Sequence, residues 1–340
     1  MATKPITSFQ DIQAEWESVL RESPEDTLFL TPQWQKVWWD TFGNGRTMVG
    51  FSYPVPDGVA PDGLAPDGLG LDGLAAIASL AKSGDTVSFV GSQDTFDYND
   101  FPIRKGYEEG FYQTLLEVLE DQGCRMLRLD SLRESSPTLQ RLPEIARSRG
   151  YTVEIEQEDV TSGIALPGTW DEYLGLLSKK YRHELRRKLR RMDDQTDWKW
   201  YSLTDPAQVA ERLGEFITLL RLSRSDKDEF MTPERERFFY NITQRMAELG
   251  QLRLYFLEMN GAAVATSLCF DYGGSRLLYN SGYDPEHSYY SVGLILIAMC
   301  LKDAIEQGLK YFDFLRGPEP YKAHLGGQQR SLYQMVVKKS

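Results

Sequence analysis

The sequence has little of what most enzyme mechanisms are recognised by. Of its 340 residues only three are cysteine and three are histidine. Cys124, Cys269 and Cys300 lie far apart, with neither C-x-x-C spacing nor a neighbouring histidine, which argues against a zinc motif and a disulfide framework and marks them as reduced core residues. His183, His287 and His324 are isolated, so no Ser-His-Asp or Cys-His pattern can be read. No run of about 18 apolar residues occurs, and the opening MATKPITSFQDIQAEWESVL has no apolar signal core, so neither membrane spanning nor export is expected and the protein reads as cytoplasmic. Positive charge is short as well: 38 basic against 50 acidic residues leave a net charge of −12. Such a chain repels nucleic acid and anionic membranes as a whole, so any anionic ligand must be held by a local basic patch.

What is present is a mixed series of helix and strand signals, long enough for two domains, divided at 1–160 and 161–340. TPQWQKVWWDTFG reads as a helix capped by Thr31 with Pro32 in its first position. A strand follows, and then the five-residue repeat PDGVAPDGLAPDGLGLDGL, which reads as an elongated, solvated hairpin loop over 56–74. Gly68, Gly70 and Gly73 in that loop have G-x-G-x-x-G spacing, yet no strand feeds them and no helix opens after them. Its aspartates, Asp57, Asp62, Asp67 and Asp72, recur every five residues, which fits no calcium-loop pattern. No metal is expected.

The second half opens at LPGTWDEYLGLLSKKYRHELRRKLRRM, where Thr169 and Glu172 form a capping-box pair and Tyr173, Leu177, Tyr181, Leu185 and Leu189 recur every four residues, predicting one amphipathic helix. Asp205 with Pro206 begins another helix. QLRLYFLEM, AAVATSLCFDY and SRLLYNSGY, joined at Asn260-Gly261 and Gly273-Gly274, predict an antiparallel meander. SVGLILIAMCLKDAIEQG then reads as an apolar helix with Ser291 as its cap and Gly308 closing it, leading into the strand YFDFLRG. Strand, helix, strand is a crossover unit. Its helix leaves the amides of Val292, Gly293 and Leu294 without partners, and Gly293 allows close approach of an anion or simply relieves packing.

Three further groups carry candidate chemistry. Arg316, Glu319, Tyr321 and Lys322 crowd the end of YFDFLRGPEPYK, with His324 two residues on. The run Lys179, Lys180, Arg182, Arg186, Arg187, Lys188, Arg190 and Arg191 is the strong positive patch: a solvated face, a site for a phosphorylated or acidic substrate, or an RNA surface, the last disfavoured by the absence of interleaved aromatic residues. Asp97, Tyr98 and Asp100 follow a strand, where turn chemistry or a place at a cleft between the halves accounts for them equally.

The meander, NSGYDPEHSYYSVG and FDFLRGPEPYKAHLG together resemble the acyl-CoA-binding half of the GNAT superfamily of N-acyltransferases. More narrowly the chain is similar to the two-domain branch with FemAB-like and CelD-like acetyltransferases, a likeness extended by LFLTPQWQKVWW, DYND, LSKKYRHELRRKLRRM and LRLSRSDKDEFM. The resemblance implies an α/β fold with mixed sheets, built as two tandem GNAT-like domains, with acetyl-CoA or another acyl-CoA as co-substrate and the amine of a small molecule or sugar precursor as acceptor. CoA pyrophosphate is then expected on Ser291, Val292, Gly293 and Leu294. Glu319 or Asp313 is the expected general base; Lys322, grouped with them as catalytic, or Arg316 is expected to hold an anionic substrate or CoA phosphate. Asp313, in an apolar strand, is expected to pair with Arg316 or Lys322. Tyr321, Arg316, Lys180, Arg182, Asp97 and Tyr98 are the expected substrate contacts, with the first half shaping specificity. The alternatives are a FemAB-like aminoacyl transfer from charged tRNA, which the basic helix favours and the overall charge disfavours, and a binding protein that kept the fold without catalysis.

Overall fold

The computed structural model describes residues 3–56 and 73–339. The fold is mixed α/β, and the chain divides into two units, residues 1–159 with 330–340 and residues 160–329.

The first unit starts with β1 (Lys4–Pro5), α1 (Gln13–Glu22), α2 (Pro32–Phe42) and β2 (Thr47–Met48). Next come β3 (Phe51–Pro54), β4 (Leu74–Ala78), β5 (Leu80–Ser83), β6 (Thr86–Phe89), α3 (Glu108–Asp121), β7 (Met126–Arg133) and α4 (Pro137–Ser148). β8 (Tyr151–Ala165) carries the chain from this unit into the next. The second unit holds α5 (Trp170–Leu176), α6 (Lys179–Gln195), β9 (Trp198–Leu203), α7 (Pro206–Ser223), α8 (Ser225–Phe230) and α9 (Pro233–Glu248). It continues with β10 (Leu252–Met259), β11 (Ala262–Tyr272), β12 (Ser275–Tyr283), α10 (Val292–Glu306), β13 (Tyr311–Arg316) and α11 (Pro320–His324), before β14 (Gln328–Lys339).

In the first unit β3 pairs antiparallel with β4, so the strands flanking the five-residue repeat meet. Residues 57–72 of the repeat, with Gly68, Gly70 and all four aspartates, lie outside the described residues. β6 and β7 run parallel with α3 between them in sequence. Residues 330–340 belong here rather than to the second unit as the sequence division had it. β14 pairs antiparallel with β7 from Leu332↔Arg133 to Lys338↔Met126, and its Leu332, Met335 and Val337 are buried. A register shift between Tyr333 and Met335 brings the three to one face, and an apolar strand face needs a sheet neighbour and a core to cover it.

The second unit's sheet runs β8-β13-β12-β11-β10-β9. The meander forms with the expected corners: Asn260 and Gly261 have φ of 51° and 84°, the two positive values a type I′ turn requires. The single helix read from Thr169 onward is two. The capping box at Thr169 and Glu172 starts α5, but Leu177 is extended and Ser178 caps α6 by accepting from the Tyr181 amide, so the stripe is broken after its first turns.

Ten of the 15 residues of α10 are buried, on every side of the helix, so it forms the centre of this unit rather than its surface. Arg276 on β12, fully buried, ties strand to helix. Its guanidinium donates to both Asp271 carboxylate oxygens (2.7 and 2.9 Å) and to Asp303 Oδ2 of α10 (2.5 Å). Burial pulls the Asp303 carboxyl up, but hydrogen bonds from Tyr255 and Arg276 outweigh it and hold it below its ordinary value. Breaking such a buried pair costs about 3–5 kcal/mol, because it strands the remaining charge.

Candidate functional site

β12 and β13 are parallel neighbours that pair over only three registers, Ser275↔Tyr311, Arg276↔Phe312 and Leu277↔Asp313. Past that point β12 continues to Tyr283, carrying a bulge against β11 after Cys269↔Leu278, while β13 kinks against β8 between Asp313 and Leu315. Where a parallel ladder stops, the strand ends stand apart and leave room for a ligand. A cavity of about 470 Å³ is lined by Ser281 and Tyr283 from β12, residues 291–294 from the start of α10, and Glu319 and Tyr321 from the segment after β13.

The kink in β13 is held by charge. Leu315 has φ of 57°, a conformation a leucine adopts only when its surroundings impose it. Asp313 Oδ1 accepts from the Leu315 amide (2.8 Å). Lys322 Nζ donates to the carbonyls of Leu315 (3.0 Å), Arg316 (2.5 Å) and Gly317 (3.0 Å) and lies 2.9 Å from Glu319 Oε2. This corrects the sequence reading of Asp313 and Lys322 as catalytic. Neither lines the cavity, Lys322 is only 2 % exposed, and its three ammonium hydrogens are spent on three carbonyls. Asp313 accepts from the amide of Leu315 and so helps to hold the kink. Glu319 does line the cavity, as does Tyr321, whose phenol burial pushes well above its ordinary value.

The start of α10 differs from its expected chemistry. Ser291 occupies the cap position, but its backbone is left-handed (φ 59°, ψ 39°) and its hydroxyl caps no amide. That hydroxyl instead accepts from Lys188 Nζ (2.9 Å), and Lys188 also faces Glu184 at 3.4 Å. The amides of Val292, Gly293 and Leu294 precede the first intrahelical bond, Ile295 to Ser291, and the Ser291 side chain caps none of them. They therefore present donors, the positive end of the helix dipole and an adjacent ammonium to the same cavity. Gly293 is confined: a Cβ there would lie 3.1 Å from the Tyr283 ring.

α8 contributes what the sequence reading missed. Lys227 lines the cavity and donates to the Ser281 carbonyl and to Asn280 Oδ1 (3.4 Å), gripping β12 beyond the end of its parallel pairing. Burial, and after it the charge of Arg224, lower its ammonium to about 8 against the pull of Glu319 and Asp226. Nothing in SRSDKDEF distinguishes this lysine from its charged neighbours; only the fold turns it inward. Lys188 was hidden in the same way within the basic run. Its spacing from Leu185 and Met192, both buried, is the signal that places it at the edge of the inner face of α6.

The remaining expected contacts are elsewhere. Lys180 is exposed and Arg182 partly so, and neither they nor Arg316 line the cavity. Asp97 and Tyr98 belong to the first unit. Tyr98 is buried there against Phe29, with the Arg133 guanidinium 4.9 Å above its ring. His324 is at the cavity, its ring tilted against that of Tyr181 with centroids 4.5 Å apart. Among the described residues no group of His, Cys, Asp and Glu could hold a metal ion, and no helix is long and apolar enough to cross a membrane.

Residues 179–323 match the family described as "Acetyltransferase (GNAT) domain". No curated protein matches the chain. Among solved structures, FemX superposes with a TM-score of 0.62 at 13% identity, covering 98% of this chain and 97% of that one. L-PGS from Bacillus licheniformis gives 0.57 at 12% identity, with 96% and 92% covered. A tandem GNAT protein from the clavulanic acid biosynthesis pathway gives 0.50 at 13% identity, with 99% and 98% covered. At these identities the likeness shows the fold alone, one shared with a tandem GNAT protein.

Proposed function

Because the second unit carries a GNAT acetyltransferase domain, we propose that the protein is an N-acyltransferase moving an acyl group, most simply acetyl, from acyl-CoA to the amine of a small molecule or sugar precursor. The observation that carries this reading is the junction of uncapped α10 amides, Lys188 and Glu319 in one cavity. A diphosphate fits the first element and an amine awaiting deprotonation fits the last.

In this reading the amine nitrogen bonds to the thioester carbonyl carbon as the carbon–sulfur bond breaks. Glu319 takes the amine's proton. Tyr321, kept protonated by burial, gives its proton to the departing thiolate and recovers one from Glu319, so that both groups return to their starting states. No protein nucleophile is required, since positioning and proton transfer supply the rate.

The test is thiol release from acetyl-CoA with a panel of primary amines. Glu319→Gln is expected to lower kcat by roughly 10²–10⁴-fold with CoA affinity unchanged. Full activity in that variant removes Glu319 from the mechanism, and no thiol release with any amine contradicts the transferase reading. A second reading, aminoacyl transfer from charged tRNA, is favoured by the exposed Lys179, Lys180, Arg186, Arg187 and Arg190 of α6. Thermal shift separates the two, because only a ligand bound by the native state raises apparent stability. A shift with tRNA at moderate salt and none with CoA selects the second.

A further inference from the structure

Each cation lining the cavity except one faces a carboxylate. Lys188 lies 3.4 Å from Glu184, and Arg224 is bidentate to Asp226 at 2.9 and 2.7 Å. Lys227 has neutral partners only, the Ser281 carbonyl and Asn280 Oδ1, and among the described residues no carboxylate stands within ion-pair distance of it. A partly buried ammonium that bonds only to dipoles, with Arg224 and Lys322 as like charges and with Glu319 and Asp226 acting on it from beyond ion-pair distance, is electrostatically incomplete, and the lowered proton affinity of Lys227 reports that state. The cavity is where the missing charge can enter.

We infer that Lys227 anchors a carboxylate carried by the amine acceptor, so that the acceptor is an amine bearing a monoanionic group. This deepens the acyl-transfer reading and rests on it. An ammonium has three hydrogens, and two are directed at Ser281 and Asn280, which leaves one for the ligand. One hydrogen suits a single carboxylate oxygen better than a phosphate dianion, which calls for several donors. Glu319, whose field also reaches Lys227, repels a dianion more strongly than a monoanion. The grip on the Ser281 carbonyl fixes the ammonium against β12, so a carboxylate bound there orients the rest of the acceptor across the cavity toward Glu319. Arg224 and Asp226 beside it, Glu319 and Lys322 facing it, and Asn280 and Ser281 on β12 complete its surroundings.

The experiment compares matched acceptors, γ-aminobutyrate against its carboxamide and β-alanine against its carboxamide, in the thiol-release assay. Wild-type protein is expected to favour each carboxylate by about tenfold or more in kcat/KM. Lys227→Met, shown to be folded by thermal unfolding, should erase that preference chiefly through KM while the carboxamides change by less than about twofold. Equal rates for the two members of a pair in the wild type, or equal loss on both in Lys227→Met, overturn the proposal. Should no amine be acylated, Lys227 is read directly by Nζ NMR titration of the wild type with and without γ-aminobutyrate. An upward shift of its titration by roughly one unit or more supports the anchoring role even as the transfer reading fails. An unmoved titration at saturating γ-aminobutyrate removes both.

Discussion

In the first unit β6 and β7 run parallel over three registers with α3 between them in sequence, and in the second β12 and β13 do the same around α10. The first turn of α3 begins with Glu108 and Glu109; Glu108 is buried and accepts from the Gly106 amide. Tyr53 closes over the same turn, since a Cβ on Gly110 would lie 2.8 Å from its hydroxyl. The first turn of α10 has no acidic residue, no capping side chain and a lysine beside it, and it opens on a cavity. An anion is thus repelled and blocked at one helix start and attracted at the other. Topology supplies the crossover, and the side chains of one turn decide whether it binds.

The comparison breaks most severely if α10 is given the first unit's chemistry. Gly293→Glu places a carboxylate among the donors and drives a side chain into Tyr283, and CoA affinity measured calorimetrically should fall by about a hundredfold or more, roughly 3 kcal/mol. Lys188→Ala is milder. It removes the ammonium beside the free amides, and affinity should drop about tenfold, in line with a charge-assisted contact of about 1.5–3 kcal/mol partly replaced by solvent.

Much of this was legible in the sequence, and the failures have physical causes. The α10 crossover was visible because Gly308, the apolar run and the turn glycines are local signals that tertiary context seldom overrides. The clamp made by Asp313 and Lys322 was not, because a charge that props up a kink and a charge that does chemistry look alike until their hydrogen bonds are traced. Lys227 was invisible for the opposite reason: it sits among exposed charges and is singled out only by the approach of α8 to β12. The C-terminal strand was assigned to the wrong unit because pairing with β7 spans about 200 residues of sequence, a separation that periodicity cannot report.

A smaller effect sharpens the contrast from the first unit's side. Asp100, buried there, is raised to about 7, first by burial and then by the Glu25 charge, against hydrogen bonds from Ser136, Thr138 and the Phe101 amide. The folded state holds this proton more tightly than the unfolded chain does, so its contribution to stability is greatest below about pH 4 and declines as pH rises toward 7. Urea titrations across that range should show the decline in the wild type and a flatter profile in Asp100→Asn; parallel profiles would mean that the carboxyl is ionised throughout.

The open start of α10, and not that of α3, is the proposed seat of the diphosphate. A crystal structure of the protein with CoA tests it most directly. The diphosphate oxygens are expected on the amides of Val292, Gly293 and Leu294, with Lys188 alongside and nothing bound at Glu108. Saturating CoA with that cavity empty, or a diphosphate seated anywhere else on the chain, would contradict it.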